Sequence, residues 1–315
     1  MPIHTRRTRR PGSRSRLHVE ALEPRRALAA TPYDESWQAV LAPPPGPPAM
    51  TTLATPVAPS LAVQPAVATG PFTHDLVSPF QRTPTRVRVL LPATYSPART
   101  YRTLYVLPVE PGNGTNYGDG LRVIEKAGLQ DLHDVIVVAP SFSDMPWYGD
   151  HPTKTTIRQE SHLLQVVIPF VEAAYAVSRQ PADRVLVGFS KSGYGAFSLL
   201  LRHPDQFGTA VAWDAPLALG SPRSDWGMPK IYGSNANFAN YRVTKLIERQ
   251  ASILMGGPAR LILAGSSTFR ADHAQVRRQL ERLGVPHEFV DGPRHAHAWG
   301  SGWLPAAIHR GLARR

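Results

Sequence analysis

The chain of 315 residues contains no cysteine. That excludes disulfides, thiolate metal sites, a cysteine nucleophile and lipidation at cysteine. Charge is also sparse: Asp, Glu, Lys and Arg together make up 18%, against about a quarter in an average globular chain. No apolar run reaches the roughly 18 residues of a membrane-spanning helix, so stable membrane insertion is not expected. Acids are the scarcer sign, and the net charge is +12. Half of that excess lies in residues 1–26, where Arg6, Arg7, Arg9, Arg10, Arg14, Arg16, Arg25 and Arg26 face only Glu20 and Glu23. The remainder is mildly basic, which argues against a folded nucleic-acid binder. Any affinity for anionic surfaces would belong to the N-terminal tail.

Proline, by contrast, is abundant, at 32 residues. Nine of these fall between Pro43 and Pro71, mixed with Ala, Thr and Val. The chain therefore divides into a basic tail over 1–31, a proline-rich flexible linker over 32–71, and a folded domain over 72–315. The tail lacks the apolar stretch of an ordinary secretory signal. Its segment Leu22-Glu23-Pro24-Arg25-Arg26-Ala27-Leu28 resembles the LEPR-type tag of exported bacterial proteins, with Ala27 where that tag usually has leucine. The resemblance implies a periplasmic, cell-surface or extracellular protein.

From residue 72 onward, short β-branched runs alternate with longer helical stretches. Strands are expected over 85–91, 103–107, 135–139, 184–189, 209–213, 260–264 and 287–290. Helices are expected over 121–127, 160–176, 193–202 and 273–283, the last stopped by Gly284. This alternation predicts an α/β fold with a mostly parallel central sheet and helices on both faces. The stretch 217–258 breaks the rhythm and reads as an insertion over the C-terminal edge of the sheet, where ligands bind in such folds.

The most informative segment is Arg184-Val-Leu-Val-Gly188-Phe189-Ser190-Lys191-Ser192-Gly193. A buried strand enters a small-x-Ser-x-small turn and a helix follows. This context holds a serine on a tight, strained bend above a helix N-terminus, suited to a nucleophile and a developing oxyanion. A phosphate-binding turn is the alternative, but the glycines have neither the P-loop nor the dinucleotide spacing.

Four stretches then carry a family resemblance: 135–148 (VIVVAPSFSDMPWY), 159–175 (QESHLLQVVIPFVEAAY), 188–204 (GFSKSGYGAFSLLLRHP) and 287–303 (HEFVDGPRHAHAWGSGW). Over about residues 80–310 the chain resembles α/β-hydrolases of the esterase group that includes esterase D, the feruloyl esterases and the mycolyl-transferase antigens. The resemblance implies a serine hydrolase acting on carboxylic esters, with Ser190 as nucleophile and no cofactor. Its histidine comes last in chain order, which gives His297 or His295. His297 is favoured because Trp299 follows it by two residues, as in the family. A metal site at His295 and His297, with His273 or Asp272, is the competing reading.

The acid is open. Thr268 stands where the family commonly has a carboxylate, so Asp272, Asp214 or neither fills the role. For the oxyanion hole the family implies the backbone N–H of Lys191 and one from the loop after strand three. Pro108 cannot donate there, which leaves Val109 or Glu110. The Lys191 side chain either favours an anionic substrate or simply faces solvent. Trp147, Tyr148, Trp226 and Tyr232 either line an acyl or aromatic pocket or act as packing anchors. The expected partner is a small-molecule or carbohydrate-linked ester. Acyl transfer would use the same residues, and a non-catalytic binding protein on this fold is the alternative from another class.

Overall fold

A computed structural model describes residues 70–313. The basic tail, and the proline-rich stretch up to residue 69, lie outside them. The strands are β1 (Phe72–Leu76), β2 (Thr85–Leu90), β3 (Arg102–Val106), β4 (Val135–Pro140), β5 (Arg184–Phe189), β6 (Thr209–Trp213), β7 (Leu261–Leu263) and β8 (His287–Phe289). They form one sheet in the order β1-β2-β4-β3-β5-β6-β7-β8. β2 runs antiparallel to β1 and β4, and every pairing from β4 through β3 to β8 is parallel.

Among the described residues, ten α-helices connect or flank these strands: α1 (Gly120–Lys126), α2 (Leu129–Leu132), α3 (Gln159–His162), α4 (Ile168–Ala174), α5 (Ser190–Arg202), α6 (Met228–Tyr232), α7 (Asn235–Phe238), α8 (Val243–Leu254), α9 (Arg270–Arg282) and α10 (Leu304–Leu312). The helix expected over 160–176 is instead α3 and α4 joined through a π-helical turn over Leu163–Val167. Gly284 follows α9 with φ +65°, the left-handed stop that its position suggests.

The central strands β4 and β5 are buried along their whole length, as expected of parallel strands covered on both faces. Alternate residues feed two cores. Leu186, Ala210 and Ala212 pack on one face with residues of α4, α5, α8 and α9. Val185, Val187 and Val211 pack on the other with residues of α1 and α10. The parallel arrangement puts the loops after β3, β5, β6, β7 and β8 at one edge of the sheet, the edge at which this class of fold binds ligands. The irregular stretch 217–258 carries α6, α7 and α8 and brings Trp226 to that edge.

The C-terminal helix α10 lies close against the sheet. A Cβ added at Gly311 would stand 2.7 Å from Val211 Cγ2 and 3.3 Å from Val185 Cγ1. Gly311→Ala gains about 1 kcal/mol of helix propensity but overpacks the core at a cost of about 1–3 kcal/mol. A net loss of about 1 kcal/mol, read as a lower urea midpoint at unchanged slope, is the expected outcome; a raised midpoint contradicts this packing.

Candidate active site

β5 delivers the chain to Ser190, whose φ is +52°. A non-glycine residue there is strained and persists only where its surroundings over-determine it. Here the determinants are close. A Cβ at Gly188 would fall 2.4 Å from the carbonyl of Ser192, and one at Gly193 would fall 2.8 Å from Ala215 Cβ. Ser192, which stands where glycine is usual, closes the turn: its Oγ donates to the Phe189 carbonyl (2.9 Å) and accepts from Phe189 N–H (3.1 Å). Ser190 N–H donates to the Asp214 carbonyl across β5 and β6 (3.2 Å).

Asp214 follows β6 directly, is fully buried, and has φ +41°. Its Oδ1 accepts from Ser267 N–H (2.6 Å) and Phe269 N–H (2.8 Å), and its Oδ2 lies 2.7 Å from His297 Nδ1. Burial alone would raise its pKa. The bond to His297, together with the N–H groups of Phe269, Ser267 and Thr268, overcomes burial and holds the carboxyl at about 2. An ionised carboxylate only accepts, so His297 Nδ1 carries the proton and Nε2 is left as the basic nitrogen. The imidazole stands among aromatic rings: Phe189 at 5.0 Å, Tyr117 at 5.9 Å, Phe269 at 6.0 Å and Trp213 at 6.2 Å between centroids. Its loop is fastened by Trp299 N–H to the Tyr117 carbonyl (2.9 Å) and by Trp303 Nε1 to the Ala298 carbonyl (2.9 Å).

Ser190, Lys191 and His297 line one cleft of about 410 Å³ with Trp147, Trp226, Tyr117 and Phe269. Asp272 lies elsewhere. Its Oδ1 accepts from Ala218 N–H (3.0 Å), and it does not contact the imidazole. The neighbouring His273 is buried, and its Nε2 accepts from Ala215 N–H (2.9 Å). These two residues prop the segment that follows Asp214. His295 donates from Nδ1 to the Ser301 carbonyl (2.7 Å). No group of three or more His, Asp or Glu suited to a metal ion forms among the described residues.

Tyr148 is a correction to the pocket expected from the sequence. It is fully buried with φ +57°, its ring packs under Gly195, and its hydroxyl donates to the Pro108 carbonyl (2.5 Å). Tyr232 is likewise buried, its hydroxyl on the Trp147 carbonyl (2.7 Å). Trp147 and Trp226 do reach the cleft, stacked at 5.9 Å with Trp147 Nε1 donating to the Trp226 carbonyl (3.0 Å). Val109 and Glu110 are buried beside the cleft. Lys191 Nζ donates to the Val109 carbonyl (3.0 Å), while the Glu110 carboxylate accepts from Asn116 Nδ2 (2.6 Å) and Tyr117 N–H (3.2 Å). Tyr117 and Phe269 sit in loops of no periodic pattern, and nothing in the sequence singles them out.

Sheet order, strand directions and the serine turn define an α/β-hydrolase. The Putative esterase family matches residues 78–254, more than half of the chain, and the chain belongs to that family. Esterase Rv1288 of Mycobacterium tuberculosis is 29% identical over 240 residues, which cover 66% of this chain and 51% of that protein. The chain thus spans about half the length of the curated relatives it matches. Among solved structures, a ferulic acid esterase aligns with a TM-score of 0.61 at 21% identity, covering 77% of this chain and 96% of its own. The substrate-bound fluorophosphonate-binding serine hydrolase F of Staphylococcus aureus aligns with a TM-score of 0.62 at 19% identity, covering 78% and 99%. No helix among the described residues is long and apolar enough to cross a membrane.

Two buried histidines also set an acid limit, His273 beside the segment after Asp214 and His162 between Ser78 and Thr85. Burial lowers the pKa of His273 and of His162 to about 4, from an ordinary 6.5. Between those values the unfolded chain binds more protons, so stability falls as pH drops from 6.5 toward 4, by about 1.4 kcal/mol per pH unit for each histidine. Asp214 adds stability that is complete above its ordinary value of 3.8 and lost as pH falls toward 2. Urea midpoints are therefore expected to decline already between pH 6.5 and 4.5, less steeply in His273→Gln; a flat profile over that range would contradict neutral buried imidazoles.

Proposed function

We propose that this chain hydrolyses carboxylic esters through an acyl-enzyme formed on Ser190. The observation that carries the reading is the 2.7 Å contact of His297 Nδ1 with Asp214 Oδ2, at the cleft that Ser190 also lines. In this reading His297 Nε2 takes the Ser190 hydroxyl proton as Oγ attacks the ester carbonyl. Asp214 holds the imidazole in the Nδ1–H tautomer and stabilises the imidazolium. The proton passes to the leaving alkoxide, giving the free alcohol and the acyl-serine. Water then attacks with the same histidine as base, and the carboxylic acid leaves.

The oxyanion donors are the Lys191 N–H at the start of α5 and a main-chain N–H of Val109 or Glu110. The aromatic walls of Trp147, Trp226, Tyr117 and Phe269 suit an apolar or aryl portion of a small or carbohydrate-linked ester. The route needs no cofactor. The basic segment 1–31 and its tag-like Leu22–Leu28 support export from a bacterial cytoplasm.

Two measurements test the reading. A fluorophosphonate probe is expected to label the wild-type protein and not Ser190→Ala. Asp214→Asn is expected to lower kcat by about 10⁴, whereas Asp272→Asn retains turnover within about tenfold of wild type, the cost of loosening one loop bond. An inactive Asp272→Asn beside an active Asp214→Asn would assign the acid to the other aspartate and defeat the proposal.

A further inference from the structure

Lys191 is the residue next to the nucleophile, and its ammonium is half-buried at the cleft. Its Nζ makes one hydrogen bond, to the Val109 carbonyl at 3.0 Å, and stands 5.8 Å from the centroid of the Tyr117 ring. An ammonium has three donors, so a carbonyl and an aromatic face leave donor capacity in place. No ion pair to Lys191 forms among the described residues.

The acids nearby are already engaged. Asp225, the other fixed charge on the cleft wall, is held bidentately by Arg223 (2.9 and 2.6 Å). The Glu110 carboxylate is held by Asn116 and Tyr117, and Asp214 by His297 and the 267–269 amides. Burial lowers the Lys191 pKa, and the charge of Glu110 works in the opposite direction. A desolvated cation with open donors beside a reacting carbonyl is costly unless an anion meets it.

We propose that the Lys191 ammonium selects esters that carry a carboxylate on a short spacer from the scissile carbonyl. This deepens the esterase reading and rests on it for turnover, but the binding it requires does not. Such a carboxylate would take the free Nζ donors while the aromatic walls hold the intervening chain. A charge-assisted hydrogen bond of this kind corresponds to about ten- to a hundredfold in kcat/KM.

The experiment compares matched substrates that differ by one carboxylate. Monoethyl glutarate against ethyl valerate puts it on the acyl side, and 4-carboxyphenyl acetate against 4-methylphenyl acetate puts it on the alcohol side. The readout is the ratio of kcat/KM within each pair, so that a general loss of activity cancels. One pair is expected to show a wild-type preference for the carboxylate that falls about ten- to a hundredfold in Lys191→Gln, reverses in Lys191→Glu and survives in Lys191→Arg. That preference shrinks with added salt in the wild type and not in Lys191→Gln.

If Lys191 only fastens Val109, both members of each pair lose rate equally and the ratios stand still, which overturns the proposal. Binding is read separately by calorimetry of glutarate with Ser190→Ala and with Ser190→Ala/Lys191→Gln. Affinity confined to the first supports the inference even where no ester is turned over, and equal affinities overturn it. Absence of turnover in every pair, by contrast, counts against the esterase reading alone.

Discussion

An ionised carboxylate in a dry interior is stable only where donors surround it, and Asp214 imposes that condition on the whole C-terminal edge of the sheet. It sits at the end of β6 with no exposed surface. Three successive amides of the loop after β7 turn toward it, and His297 from the loop after β8 completes the shell. Removing one partner from such a group leaves a buried charge short of a ligand, which costs far more than the pair contributes over an apolar substitute. The loops after β6, β7 and β8 are therefore held in register by one side chain. Asp272 and His273, at the start of α9, secure the residues just beyond it through Ala218 and Ala215.

Much of the architecture is legible along the chain because burial writes itself into local pattern. β4, β5 and β6 are continuous apolar runs, and α5 and α9 have helical spacing. β1 escapes that reading because it is an edge strand whose FTHDL alternates between half-buried and exposed residues. α10 escapes because its Leu304-Pro305 start and internal Gly311 weaken the helical signal, while its stability comes from packing on β5 and β6. The strained turn at Ser190, the proposed nucleophile, is local, so it is readable from strand, small residues and helix. The proposed acid is different. Choosing between Asp214 and Asp272 requires knowing which amides the 265–269 loop turns toward β6, and those bonds join residues more than fifty positions apart. Thr268 occupies the place where a carboxylate is common, and here that loop supplies N–H groups to a carboxylate carried by the neighbouring strand.

The departures from the usual pattern around the serine are mutually consistent. Ser192 in place of glycine closes the turn through both backbone groups of Phe189. Lys191 reaches across to the loop after β3, and Glu110 in that loop in turn holds Tyr117. Tyr117 then meets the histidine loop twice, by its ring against His297 and by its carbonyl to Trp299. The loops after β3, β5 and β8 thus form a closed circuit of contacts at the cleft mouth. Backbone strain at Ser190 is tolerated where those contacts leave it no other position, and Asp214 is held by its own bonds to Ser267, Phe269 and His297.

The same enclosure gives the molecule an optical property. All five tryptophans of the described residues stand at the site: Trp147 and Trp226 in its wall, Trp213, Trp299 and Trp303 behind His297. Trp213 and Trp303 are stacked nearly parallel, with centroids 5.0 Å apart. Tryptophan fluorescence and the tryptophan bands of near-ultraviolet dichroism therefore report on one end of the sheet, while the ring pair of Tyr95 and Tyr101 contributes only to the tyrosine bands. Loosening of the histidine loop would register in those signals while far-ultraviolet dichroism still recorded an intact sheet and helices, so the order in which the two parts come undone can be followed without any attached label.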